Sequence, residues 1–200
     1  MILTTVLNHG PKYYFKVHKK KLENICEDAK LKEFLYETLK NCPDKYFLKG
    51  PRSSVLKVNL DADIQNQDHE IKLLARLGLE SNYYNDAHLN VQTFLLAYDE
   101  KTVAMEVPIW MHVDEHEKYE ELLKTNKTLS GHIDLIRIEN GKIWVWDFKP
   151  NAHREKFAHT QTYFYAYMLS QRTGIALENF MCGYFDDKNV YVFSPSKVQL

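Results

Sequence analysis

The segment Gly131–Pro150, GHIDLIRIENGKIWVWDFKP, decides the fold. Asn140-Gly141 separates two strand-like runs, and a type I′ hairpin turn needs positive φ at both central residues, which Asn-Gly supplies most readily. With those two as the turn, residues equidistant from it face each other. Glu139 then meets Lys142, Ile138 meets Ile143 and Ile136 meets Val145, an ion pair followed by two apolar pairs. The same register brings Asp134 opposite Asp147. Side chains alternate along a strand, so Asp147, Lys149 and Asp134 share one face. Opposed residues have Cβ atoms roughly 4.5–5.5 Å apart, and like charges at that distance destabilise a sheet. A hard divalent cation bound by carboxylate oxygens relieves the repulsion. The alternative is a salt-bridged cluster in which Lys149 is shared by both carboxylates, an arrangement that carries a desolvation cost near a buried sheet.

A cation held by two carboxylates, with an amine two residues along, suits phosphodiester hydrolysis. The metal polarises a phosphate oxygen and lowers the pKa of a bound water. Lys149 is placed to orient that water or to offset charge in the transition state. The backbone carbonyl of Phe148, flanked by Asp147 and Lys149, is a further candidate metal ligand.

Outward from the hairpin, Phe157, Gln161, Phe164, Tyr165, Met168 and Leu169 recur at helical spacing, and Gly174 ends that helix. MCGYFDDKNVYVFSP reads as a last hairpin turning at Asp186–Asn189. Upstream, Thr102–Met111 and Asn90–Tyr98 read as strands joined by a turn at Asp99-Glu100. The periodic apolar residues of Ile64–Leu79 predict a helix that stops near Gly78, and those of Lys19–Leu39 predict another. The charged run Asp114–Thr128 reads as a surface loop or short helix. The fold class that results is α/β, a central mixed β-sheet flanked by helices.

The chain has 200 residues, 44% of them hydrophobic, enough for one domain with a substantial core. Residues 1–57 carry 12 Lys/Arg against 6 Asp/Glu, a balance of +6, and the remainder carries 14 against 21, or −7. A basic N-terminal third is suited to phosphates and an acidic remainder to a metal, although the Lys19–Lys21 run alone also reads as a solvated helix face. This divides the chain into a basic, largely helical element, 1–57, and a core, 58–200. Cys26, Cys42 and Cys182 form no C-x-x-C pair and read as reduced thiols in packing roles. No apolar run approaches a membrane span. The N-terminus lacks a basic stretch and a small-residue cleavage site, so no signal peptide is expected and the expected location is cytoplasmic.

Taken together, GHIDLI with Asp134, WDFK with Asp147 and Lys149, and QTYFY with Gln161 and Tyr165 resemble the PD-(D/E)XK nuclease superfamily, and most of all its RecB-like exonuclease branch. In that branch a Gly-x-x-Asp strand, an Asp/Glu-x-Lys strand and a Gln-x-x-x-Tyr helix follow in this order. The resemblance covers His69 to Tyr165 and implies a restriction-endonuclease-like core with a helical N-terminal addition. It makes Asp134 and Asp147 metal ligands and Lys149 the catalytic lysine. Gln161 and Tyr165 would contact the nucleic acid or support the hairpin. The family also expects an acidic residue or His on an earlier helix, and QDHEIKLLARL offers His69 or Glu70, with Asp68 a further choice. Glu106 resembles another family feature, a Glu in the preceding strand, without being read as a ligand. The iron–sulfur members carry four cysteines, so no such cluster is expected. The implied activity is a Mg²⁺-dependent nuclease acting on single- or double-stranded DNA in recombination, repair or replication, with Mn²⁺ as a substitute. A homo-oligomeric ring would imply processive digestion, but no segment encodes one visibly. The competing readings are an inactive nucleic-acid-binding module and a protein-interaction domain of the same fold.

Overall fold

In the computed structural model, which describes residues 1–199, Asn140 and Gly141 take left-handed conformations with φ of 51° and 71°. They join β5 (Leu129–Glu139) to β6 (Lys142–Phe148). The register is the expected one, with Glu139 facing Lys142, Ile138 facing Ile143 and Ile136 facing Val145. The ladder ends at Leu135–Trp146, one pair short of the expected apposition of the two aspartates. There Asp134 Oδ2 accepts a hydrogen bond from the Phe148 N–H at 2.8 Å, while Asp147 is in register with Tyr184 of β7 (Phe180–Phe185).

Around this hairpin the sheet grows to eight strands. The others are β1 (Ile2–Asn8), β2 (Lys12–His18), β3 (Gln65–Asn66), β4 (Thr102–Met111) and β8 (Val190–Phe193). Their order is β1-β2-β4-β5-β6-β7-β8-β3. Neighbours are antiparallel except β6 and β7, which are parallel. A parallel pair needs a crossover, and α6 (Ala158–Thr173), capped by Gly174 at φ 66°, provides it.

Several elements differ from the sequence reading. Asn90–Tyr98, read as a strand, lies in helix α4 (Ala87–Tyr98), whose N-cap Asp86 accepts from the Leu89 N–H at 2.9 Å. Its buried Val91, Leu95 and Leu96 lie at helical spacing, but a nine-residue apolar run with few breaks does not separate the two periods. The helix read as stopping at Gly78 is α3 (Ile71–Ser81), which ends at Asn82 in the left-handed conformation. Gly78 serves close packing instead: a Cβ there would lie 2.9 Å from the Val91 Cα of α4. Residues 19–39 form two helices, α1 (Lys19–Ile25) and α2 (Ala29–Asn41). The break falls where the Asp28 side chain caps the Lys30 and Leu31 N–H groups. The N-terminal residues, given no secondary structure by periodicity, form the β1–β2 hairpin, turning at Gly10 with φ 93°. β2 pairs with β4, so the basic N-terminal segment adds strands to the central sheet as well as helices.

Two apolar layers cover the sheet. On one side Phe164, Met168 and Leu169 of α6 pack with Leu22, Leu31 and Leu35 of α1 and α2 against Val107, Ile133, Ile136 and Val145. On the other, Ile71 and Ala75 of α3 and Val91 and Leu95 of α4 pack against Met105, Leu135, Trp146 and Phe148. Trp144 stacks on Trp146 in this second layer, with ring centroids 5.1 Å apart. A five-residue helix, α5 (Tyr119–Leu123), occupies the charged run before β5. Among the described residues no helix is long and apolar enough to cross a membrane.

Candidate active site

A regular strand keeps residues two apart on one face. β4 and β5 break this rule at one place. Met105 pairs with Leu135 in the α3–α4 layer, and Val107 pairs with Ile133 in the α6 layer. Between those pairs stand Glu106, at φ 52°, and Asp134. A left-handed residue other than glycine costs about 1 kcal/mol. Here it switches the strand from one apolar layer to the other and leaves a polar opening between them.

That opening is a cleft of about 220 Å³ lined by Glu106, Asp134, Asp147, Lys149, Gln161 and Tyr165, together with Tyr13, Arg52, His88 and His132. Asp147 is 1% exposed. Its Oδ1 accepts from Gln161 Nε2 at 3.2 Å, and the same Nε2 donates to Tyr165 Oη at 2.8 Å. Gln161 and Tyr165 are both buried, so this pair braces the aspartate from one turn of α6. Lys149 Nζ lies 2.6 Å from Asp147 Oδ2 as an ion pair, but Oδ2 receives no hydrogen bond of good geometry. From α4, Gln92 Nε2 donates to Glu106 Oε1 at 2.7 Å. Gly131 closes the floor. A Cβ there would meet Tyr165 Cε1 at 2.5 Å and Ser53 Oγ at 2.2 Å, which is why a glycine precedes Asp134 by three residues.

The carboxyl groups repel ionisation. Burial, reinforced by Asp134, pushes Asp147 up to about 7. Burial pushes Asp134 up to about 6, and burial with Asp134 beside it pushes Glu106 up to about 8. Burial alone would lower Lys149, but Asp147 and Asp134 outweigh it and hold the ammonium above its usual range. The buried Asp134 and Asp147 share the Lys149 ammonium, and the half-buried Glu106 adds a third carboxyl beside them, a crowding of acids that a divalent cation fits. Asp134 and Asp147, whose Oδ2 has the Lys149 ion pair but no hydrogen bond of good geometry, provide hard oxygen donors. The cleft carboxylates stand wider apart than the one trio of His, Cys and acidic donors that lies within 4.8 Å among the described residues, His9, Cys42 and Asp44. Mg²⁺ usually keeps several waters and takes one or two carboxylates, so it does not need a closed protein trio. Phe148 sits between Asp147 and Lys149 with its ring in the α3–α4 layer and its N–H given to Asp134.

His69 and Glu70 do not join this cleft. His69 Nε2 lies 3.5 Å from Glu139 Oε1, and its ring packs against Trp146. Glu70 binds Lys101 and the fully buried Arg137. Glu139 is five residues along β5 from Asp134, about 16 Å away at ~3.3 Å per residue. The two residues belong to an ion network around Arg137 at the far end of the hairpin; Asp68 pairs with Lys72. Of α3 and α4, the two helices immediately before β4, α4 is the one that reaches the cleft, through His88 in its lining and Gln92 bonded to Glu106. Their i, i+4 spacing signals a shared face, and that signal is lost when the segment is read as a strand. Arg52 and Tyr13 carry no motif at all.

A family model of the PD-(D/E)XK nuclease superfamily matches residues 53–198. No curated protein and no solved structure matches the chain.

Proposed function

The chain belongs to the PD-(D/E)XK nuclease superfamily, and from that premise we propose that it is a Mg²⁺-dependent deoxyribonuclease, acting as an exonuclease in DNA recombination, repair or replication. The observation that carries the reading is the grouping of the buried Asp134 and Asp147 with the half-buried Glu106 in one cleft beside Lys149, an acidic cluster that a divalent cation fits. Asp134 and Asp147, with the Phe148 carbonyl, would hold the cation, and α4 brings His88 to the cleft where the sequence offered His69. Lewis-acid chemistry at the phosphate oxygen comes from the cation when it is bound.

The chain's own residues do the rest. Lys149 presents an ammonium beside the scissile phosphate, where it orients the attacking water and offsets developing negative charge. Asp147 keeps Lys149 charged and is itself held in one rotamer by Gln161. Tyr165 fixes Gln161, so this pair supports the hairpin from α6. Glu106, held by Gln92, keeps the carboxylate side of the cleft polar. The exonuclease assignment rests on the Gln161/Tyr165 helix motif shared with the RecB-like branch.

The test is digestion of end-labelled single- and double-stranded DNA with Mg²⁺, Mn²⁺ or EDTA, beside Asp147→Ala. Metal-dependent cutting that the substitution abolishes, with products released from an end, is the expected result. Absence of cutting on every substrate, with retained DNA binding, would replace this reading by an inactive binding module.

A further inference from the structure

At one side of the same cleft, Arg52 is anchored in a way that serves no structural charge. Its backbone forms a parallel bridge to Ser130, and the Ser130 N–H donates to the Pro51 carbonyl at 3.1 Å, which fixes the residue against β5. The guanidinium donates through Nη2 to the His9 carbonyl, lies 3.4 Å through Nη1 from His132 Nδ1, and sits 5.7 Å from the centre of the Tyr13 ring. Tyr13 in turn stacks on His132 at 3.7 Å. Among the described residues no carboxylate pairs with Arg52.

The proton order along this chain follows from the donors. Arginine only donates, so His132 Nδ1 is an acceptor and its proton is on Nε2. His132 Nε2 lies 2.9 Å from His9 Nδ1, which accepts it, and His9 Nε2 then donates to Asp44 Oδ1 at 2.8 Å. Each contact is satisfied by neutral imidazoles. The order also occupies His9 Nε2, so the His9–Cys42–Asp44 trio functions as the end of a relay, without a lone pair for a metal. Arg52 is therefore held by uncharged acceptors only, with its positive charge facing the cleft.

We propose that Arg52 binds a phosphate of the nucleic-acid strand seated in this cleft, and that His132, His9 and Tyr13 position it. The inference rests on the nuclease reading of the same cleft. His132 is two residues along β5 from Asp134, roughly 6–7 Å, which is of the order of one nucleotide step along an extended strand. The ligand is thus the phosphate next to the one held at the carboxylates, either an internal diester or a terminal monoester. An arginine fork gives that phosphate a charge-assisted, two-pronged contact.

The test is binding of short single-stranded phosphorothioate DNA, with and without a 5′-phosphate, measured by anisotropy in Mg²⁺ across a salt series. Arg52→Gln should weaken binding about tenfold and reduce the salt slope by about one, while Arg52→Lys should keep the slope and lose only part of the affinity. A larger loss on 5′-phosphorylated DNA assigns the terminal monoester; an equal loss assigns the internal diester. His132→Leu should reproduce part of the Arg52→Gln loss, with the slope unchanged. Circular dichroism confirms that each variant is folded, and Arg52→Lys carries the test should Arg52→Gln not fold. Tight binding by the wild type with the same affinity and slope in Arg52→Gln would overturn the phosphate contact and leave the nuclease reading standing. Absence of both binding and cutting in the wild type would overturn both.

Discussion

Lys149 Nζ and Asp147 Oδ2 lie 2.6 Å apart inside a cleft that also holds the buried Asp134 and the half-buried Glu106. Removing either partner therefore has opposite effects on charge balance. Lys149→Ala leaves Asp147 without its ion-pair partner and the scissile phosphate with no ammonium beside it. Cleavage should fall by two to three orders of magnitude, the range for loss of one preorganised charge donor. Single-turnover kinetics at saturating Mg²⁺ measures it, and a fall of less than threefold would remove Lys149 from the chemistry.

Asp147→Asn relieves the repulsion instead. The metal-free variant should melt about 2–4 °C higher than the wild type at pH 8 for each kcal/mol recovered. Activity and the Mg²⁺-induced thermal shift should both disappear. A variant that melts lower than the metal-free wild type would show that Asp147 is held by its hydrogen bonds more than it is penalised by burial.

The same carboxyls set a pH dependence. Asp134, Asp147 and Glu106 are raised to about 6, 7 and 8, each by burial first. A raised acid stabilises the fold below its unfolded pKa, and that contribution is lost as pH rises through the folded value. Metal-free protein should thus lose stability from about pH 4, where the unfolded carboxyls ionise, up to about pH 8, where the last folded one does. Mg²⁺ affinity should climb as pH rises through about 6 to 8, because its ligands must lose protons to bind it. Thermal melts in EDTA and in Mg²⁺ across that range should diverge upward in pH. Parallel curves would place the cation elsewhere.

His88→Ala and His69→Ala separate two helices. His88 lines the cleft, and its loss should cut Mg²⁺-dependent activity about tenfold or more. His69 lies in the Arg137 network, and its loss should lower the melting temperature while sparing the metal dependence of cleavage. The reverse pattern, read from metal titrations of activity, would restore His69 to the site.

Gly131→Ala drives a methyl group to within 2.5 Å of the Tyr165 ring. Overpacking of this kind costs about 1–3 kcal/mol. Urea unfolding should show that loss, and Gly131→Ala combined with Tyr165→Leu should recover part of it. Additive losses in the double variant would mean that Tyr165 is not the obstacle.

How much of this was legible beforehand depended on how far each signal reached along the chain. The β5–β6 hairpin announced itself because the Asn-Gly turn and the alternation of Ile136, Ile138, Ile143 and Val145 are local and agree. α6 was equally plain, since Gln161, Tyr165 and Gly174 belong to one periodic run. The left-handed Glu106 was invisible, because its conformation follows from facing Asp134 across two strands and from nothing in AMEVPIW. α4 was misread for a related reason: its apolar run is too short and too continuous to show a period. The face that His88 and Gln92 share is hidden with it, and His69 is the imidazole that the sequence offers instead. Arg52 reaches the cleft through a bridge to Ser130, seventy-eight residues away, a contact that no spacing rule contains.

The parallel pairing of β6 with β7 gives the site a place in time as well as in space. Asp147 meets Tyr184 only after α6 has crossed over, a separation of thirty-seven residues, whereas the hairpin carrying Asp134 closes through a two-residue turn. Long-range parallel pairing pays its loop entropy before its contacts form, and so lags local hairpins during folding. By that ordering the first aspartate is housed before the second, and the crowded carboxylate cleft is completed only once α6 lies over the sheet to bear its repulsion.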